Sequence, residues 1–213
     1  MKNFSIEIYA QLHRHEVSAF VADRYHQVDH FAFTSHEQLR SEIAQEDRSL
    51  ARTSTIALAR HRNGSIVSTA RLIERRDSTA ILPVERVFGI SVAPIRSEGG
   101  RVFEFARLAS DPAGSRGLAW QLAATLNVYC QLDPVSDSVV AGVDARLLRA
   151  MQDRGWGFER IGEPLVHLGS ATVPIRVDLA AADALLRRTC APPVWHRAVR
   201  VSHDPQTLRR RTR

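Results

Sequence analysis

Lysine is almost missing from this sequence. Of 29 basic residues, Lys2 is the one that is not arginine, a bias that reads as genome composition rather than mechanism. Cysteine is as scarce, with Cys130 and Cys190 alone in 213 residues. Neither lies in a CxxC pair or a Cys/His cluster, which excludes a disulfide framework and a structural zinc site. Cys130 falls in a predicted helix and reads as a small core residue. No apolar run approaches the roughly 20 residues needed to cross a bilayer. The opening MKNFSIEIYAQLHRHE lacks the apolar core of a signal peptide. A cytoplasmic chain with no membrane association is therefore expected. There is no GxSxG, P-loop or HExxH pattern. His26 and His30, four residues apart, make an incomplete metal site, and His13 and His15 diverge on a helix. No metal is expected.

What is present is an ordinary globular composition, with 44% hydrophobic and 24% charged residues. The length suits one large domain with an extension, read as residues 1–180 and 181–213. The net charge of +6 points at first sight to nucleic acid. Its distribution argues otherwise. From Arg187 onward there are eight arginines and one acid, Asp204, a balance of +7, so residues 1–186 carry 21 bases against 22 acids. The basic excess belongs to the chain's end. A nucleic-acid module using that tail is not expected, and removal of residues 187–213 separates it from an enzyme that keeps its catalysis.

Apolar spacing predicts helix through most of residues 6–26, and a short helix over SHEQLRSEIAQED capped by Ser35. STIALARH and SIVSTARLIE read as strands joined by Asn63-Gly64, a hairpin turn favoured by positive φ. ILPVERVFG suggests a short helix after Pro83. RVFEFARLAS is a strand and GLAWQLAATLNVYCQL a helix, broken by Asp133-Pro134. SVVAGVD is a strand, ARLLRAMQDRG a helix ending on Gly155, and FERIG and HLGSATVPIRVDL supply the last strands. Residues 180–213 are expected to be one helix and an irregular end. The order implies an α/β fold, a mixed central sheet flanked by helices, with a C-terminal extension.

The segment RVFEFARLASDPAGSRGLAWQL carries the chemistry. Side chains alternate in a flat strand, so Glu104 and Arg107 share a face only if a bulge slips the alternation. A bulge would also part this strand from its neighbour. Without one, each charge would reach a different partner at the sheet rim, the reading the strand alone favours. The loop Gly114-Ser115-Arg116-Gly117 leads directly into a helix, whose first amides lack partners and attract anions. A phosphopantetheine or pyrophosphate arm fits there. Trp120 and Tyr129 read as core packing, with Trp120 placed to border an acyl pocket.

Strand, RGLA-type loop, helix, strand, helix and strand resemble the core of GNAT-fold acyltransferases. The finer resemblance is to the acyl-homoserine-lactone (autoinducer) synthases. Their E-[aliphatic]-S-R is similar to Glu104-Phe105-Ala106-Arg107. Their G-x-x-R-L is similar to Ser68-Thr69-Ala70-Arg71-Leu72, and their R-[YH]-x-x-F to Arg24-Tyr25-His26-Gln27-Val28. The segment MQDRGWGFERIGEPLVHLGSATVPIRVDL resembles their C-terminal part. Val28 replaces an aromatic, Ser68 a glycine and Ala106 a serine. The acidic pair before the hairpin is partly echoed by Glu46-Asp47.

The resemblance implies acyl transfer from an acyl carrier protein or coenzyme A thioester to the amine of S-adenosylmethionine, giving an acyl-homoserine lactone in quorum sensing. The related N-acyl amino acid synthases share the pattern and are the alternative, with a diverged S-adenosylmethionine-binding relative after them. No tightly bound cofactor is implied; S-adenosylmethionine is a substrate. Glu104 is the candidate base, because an ammonium must lose its proton before it attacks. Arg71 and Arg107 would order the cleft by pairing with carboxylates. Arg24, Val28, Glu46, Asp47, Phe88 and Phe105 form the expected substrate-binding set, with Glu46 or Asp47 holding the ammonium. Gly114, Ser115, Arg116, Gly117 and Arg149 would meet the carrier's phosphopantetheine arm. Arg146, Arg149 and Arg154 suit an acidic carrier protein.

Overall fold

A computed structural model describes residues 4–11, 14–28, 35–96, 98–111, 118–189 and 199–203. Its first element corrects the sequence reading. Phe4–Ala10 is a strand, β1, in which Ile6 and Ile8 are buried at a period of two. Helix α1 begins only at His15 and runs to Val28. Helix α2, His36–Ser49, starts where expected, with Ser35 Oγ accepting from the Gln38 N–H at 3.0 Å. Strands β2 (Ser54–His61) and β3 (Ile66–Glu74) form the foreseen hairpin, with Gly64 at φ 87°.

Helix α3, Pro83–Phe88, follows its proline, and β4 spans Val102–Ser110. Next come α4 (Leu118–Tyr129), β5 (Ser138–Asp144) and α5 (Ala145–Gln152), whose first amides are capped by Asp144. Strands β6 (Phe158–Arg160), β7 (Leu165–His167) and β8 (Ser170–Val177) precede α6, Leu179–Thr189. The chain end is not wholly irregular: Val199–His203 forms β9, parallel to β1. A five-residue strand after a Pro-containing stretch leaves little periodic signal, which is why it went unread.

The strands form one mixed sheet in the order β6-β8-β5-β4-β3-β2-β1-β9, with β7 also on β8. One face packs α1 and α2 over Tyr9, Ile56, Leu58 and Ala109, and α3 over Ile73, Val102 and Val140. The other face packs α4 over Ala70, Leu72, Phe103 and Val139. Leu122 and Leu126 of α4 are fully buried there, and truncating either to alanine should cost about 2–5 kcal/mol. No helix among the described residues is long and apolar enough to cross a membrane.

Candidate active site

The parallel pair β4–β5 is matched at Val102↔Ser138, Phe103↔Val139 and Glu104↔Val140, and then ends although both strands continue. On its other side β4 slips register against β3: Arg71 faces Ala106, but Thr69 faces Ala109. Arg107 and Leu108 thus stand together opposite Ala70, and Arg107 takes a left-handed φ of 55°, rare for a long side chain. This is the conditional bulge of the sequence reading. It turns Arg107 onto the face that carries Glu104; each charge does reach its own partner there, but both are buried and neither lies at the rim.

On that face lies a buried ionic cluster. Asp47 accepts from Ser18 Oγ at 2.8 Å, from Arg107 Nε at 3.0 Å, and from Arg71. Arg71, Arg107 and Asp47 are all at most 6% exposed. Arg107 also pairs with Glu46, whose other oxygen takes the exposed Arg86 at 2.8 Å. Burial alone would raise the Asp47 pKa, but Arg107, Arg71 and the Ser18 hydroxyl outweigh it and hold the group below the usual 3.8. Asp47 therefore clamps α2 to β3 and β4, with its oxygens already committed. Of the two acids offered for the ammonium, Glu46 is the accessible one.

Glu104 occupies the last paired position, at the closed end of the gap. It is 5% exposed and accepts from the Val84 N–H at 2.9 Å, at the start of α3. Burial, opposed by that hydrogen bond and by Arg71, raises its pKa to about 7. A carboxyl tuned to neutral pH has the proton affinity that a base needs.

The gap itself is a cleft of about 480 Å³, lined by β4 from Phe105 to Ser110 and β5 from Ala141 to Asp144. Arg24 and Tyr25 reach it from α1, Arg146 and Leu147 from α5, and His167 from β7. Glu104 is not among its lining residues. Arg24 stands 3.8 Å from Asp111 and over the Phe20 ring. Phe105 is buried on the opposite face and forms part of the cleft wall. Phe88 abuts Gly142 closely enough that a Cβ there would lie 3.4 Å from its ring. Arg146, Arg149 and Arg154 are exposed. The Val28 side chain and Gly114, Ser115, Arg116 and Gly117 lie outside the described residues.

Three groups were assigned no role from the sequence. Tyr25 lies against Arg107, and burial first of all keeps its phenol protonated; its place beside Arg24 was the signal available. His167 is half-buried on the cleft, and desolvation lowers its pKa, so it is neutral at pH 7. Glu85 accepts from the Leu82 and Val92 N–H groups at 2.9 and 2.8 Å and pairs with Arg75, pinning the loop beneath Glu104. Neither of the latter two has a local pattern that marks it.

A family model described as "FeeM: N-acyl amino acid synthase FeeM" matches residues 14–178. The chain belongs to the FeeM N-acyl amino acid synthase family. It is thus an acyltransferase, as the resemblance implied. Solved structures agree in fold. BjaI, a CoA-dependent acyl-homoserine lactone synthase determined with S-adenosylmethionine and isopentyl-CoA, is 19% identical, with 95% of this chain and 94% of that one covered and a TM-score of 0.59. FeeM, from uncultured soil microbes, is 15% identical over 87% of this chain and 96% of that one, also at 0.59. TofI in its apo form is 24% identical over 86% and 99%, at 0.54. No curated protein matches. Like its FeeM-family relatives, the chain sits in a fold shared with the acyl-homoserine lactone synthases, the resemblance first drawn from its motifs.

Proposed function

We propose that this protein moves an acyl group from a phosphopantetheine thioester, carried by an acyl carrier protein or coenzyme A, to the α-amine of an amino acid. The observation that carries the reading is the parting of β4 from β5 just after Glu104. It frees main-chain groups of β4 along a cleft that accepts an extended thioester arm. An N–H directed at the oxyanion formed on attack is worth about 3 kcal/mol.

Glu104, at the closed end of the gap, takes the ammonium proton through water. The free amine attacks the thioester carbonyl and the C–S bond breaks. The proton the nitrogen sheds passes to the leaving thiolate, so an amide and a thiol remain. Glu46, less buried than Asp47, takes the acceptor's ammonium in place of the exposed Arg86, and Arg24 offers its cation to the acceptor's carboxylate. Exposed Arg146, Arg149 and Arg154 on and after α5 provide the positive surface for an acidic carrier.

Family membership supports a free amino acid as acceptor. S-adenosylmethionine presents the same α-amino carboxylate and is the second reading, supported by the likeness to BjaI. One assay separates them: purified protein, acyl thioesters, amino acids or S-adenosylmethionine, and mass detection. An N-acyl amino acid upholds the first reading. An acyl-homoserine lactone with methylthioadenosine upholds the second. Free thiol without an acylated amine overturns both.

A further inference from the structure

Where helix α4 ends, at Tyr129, a second cleft of about 420 Å³ opens against the ends of β1, β2 and β3 and the start of β4. It shares no lining residue with the cleft between β4 and β5 and meets β4 at its other end, at Arg101 and Phe103. Strand register defines its floor. Ala10, Thr55 and Leu72 form one rung across β1, β2 and β3, and Glu74 and Phe103 form the next rung on that face. Leu72 and Phe103 are buried and belong to the core beneath α4.

Glu74 does not belong in that series. Ala70 and Leu72 precede it at a period of two and pack into the core under α4, so alternation turns its carboxylate to the same face. It is half-buried, and it has no hydrogen-bond or ion-pair partner among the described residues. Arg76, two positions on, is exposed on the cleft and equally without such a partner. Arg101, by contrast, is spent. Its guanidinium donates to Asp137 at 2.7 Å and to the carbonyls of Cys130 and Gln131, just past the end of α4, at 3.3 and 2.7 Å. The cleft therefore offers one uncommitted anion and one uncommitted cation over an apolar floor.

An inward-facing carboxylate with no partner is costly, and a ligand ammonium offsets that cost. A concave space of this size, with an apolar floor and a few polar groups that fix orientation, is the usual form of a small-molecule site. We propose that this cleft is a second, non-catalytic binding site for a small zwitterion, an α-amino acid. Its ammonium meets Glu74, its carboxylate meets Arg76, and its side chain lies on Leu72 and Phe103. The site stands apart from Glu46 and Arg24 and does not depend on the acyl-transfer reading.

Calorimetry on the full chain with L-phenylalanine, phenethylamine and 3-phenylpropionate reads each end of the site separately. L-Phenylalanine should bind wild type and lose about tenfold to a hundredfold in affinity in both Glu74→Gln and Arg76→Ala, the value of a charge-assisted contact. Phenethylamine should weaken in Glu74→Gln alone, and 3-phenylpropionate in Arg76→Ala alone. Arg24→Ala, which alters the proposed acceptor site, should leave this binding in place, so the two sites are told apart without turnover. Melting temperatures of the Glu74 and Arg76 variants should match wild type, since neither side chain holds another residue. Should Glu74→Gln not fold, Arg76→Ala, at an exposed position, carries the test with L-phenylalanine and 3-phenylpropionate. Absence of L-phenylalanine binding, or binding that both variants leave unchanged, overturns the site. Phenethylamine bound as tightly as L-phenylalanine overturns the zwitterion as its ligand.

Discussion

Arg107 and Asp47, sixty positions apart in the chain, meet in the core, with Nε of the arginine 3.0 Å from Oδ1 of the carboxylate. Arg71 donates to the same oxygen. One carboxylate thus joins two buried guanidinium groups, of which Arg107 also has Glu46. Asp47→Asn should destabilise the fold by about 3–5 kcal/mol, since it takes from the buried Arg71 its paired carboxylate. Urea denaturation measures it.

The same clamp predicts an acid limb. The Asp47 pKa is lower in the fold than in the unfolded chain. Its contribution is present in full above the ordinary carboxylate value and is lost as pH falls through the lowered one. Wild-type melting temperature should therefore drop steeply on acidification in that range. Asp47→Asn should flatten the drop.

Glu104 has the opposite sign. Its folded pKa of about 7 lies above the usual 4.5, so the fold favours the protonated form. That preference favours stability below pH 4.5 and is lost as pH rises through 7, a span worth about 3 kcal/mol at most. Glu104→Gln should leave melting temperature at pH 8 unchanged or higher, while kcat falls at least about a hundredfold. Wild-type kcat should rise with pH through 7. A glutamine variant with normal kcat would remove Glu104 as the base.

Arg107→Lys tests the bulge. Arg107 meets Asp47 through Nε and Glu46 through a terminal nitrogen, two directions that one ammonium cannot serve. The positive φ at this position costs about 1–3 kcal/mol and persists only while its surroundings hold it. The lysine variant should lose stability by a similar amount and lose activity with every acyl donor alike, because the β4 wall of the cleft moves. Amide exchange along β4 against wild type checks the cause.

Arg24 should act on binding. Arg24→Ala is expected to raise the acceptor KM by about tenfold to a hundredfold, the value of a charge-assisted contact, with kcat and the donor KM little changed. Steady-state kinetics with both substrates varied distinguish this from damage to the cleft.

Local chemistry was legible in the sequence, and distant pairing was not. Ser35, Asn63-Gly64 and Pro83 each act within a few residues, and each marks its element correctly. The charges of β4 were legible as a condition: Glu104 and Arg107 could cooperate only through a bulge, and the bulge is there. Residues 6–10 were misread because their apolar residues were counted together with those of the real helix that starts at His15. Glu46 and Asp47 looked interchangeable as neighbours. On a helix adjacent residues point about 100° apart, so Asp47 enters the core while Glu46 stays at its margin. Nothing in their order reveals which, until β3 and β4 bring their arginines.

The pairing of β9 with β1 has a cost for anyone trimming the arginine-rich end. Ile6–Ala10 runs beside Val199–His203, and without that neighbour β1 becomes the outermost strand, with a bare row of amides and carbonyls. Such margins recruit other chains. A truncation at residue 187, aimed at removing surplus charge, would create a self-associating protein, and clumping in that sample would report a lost seam rather than a lost partner.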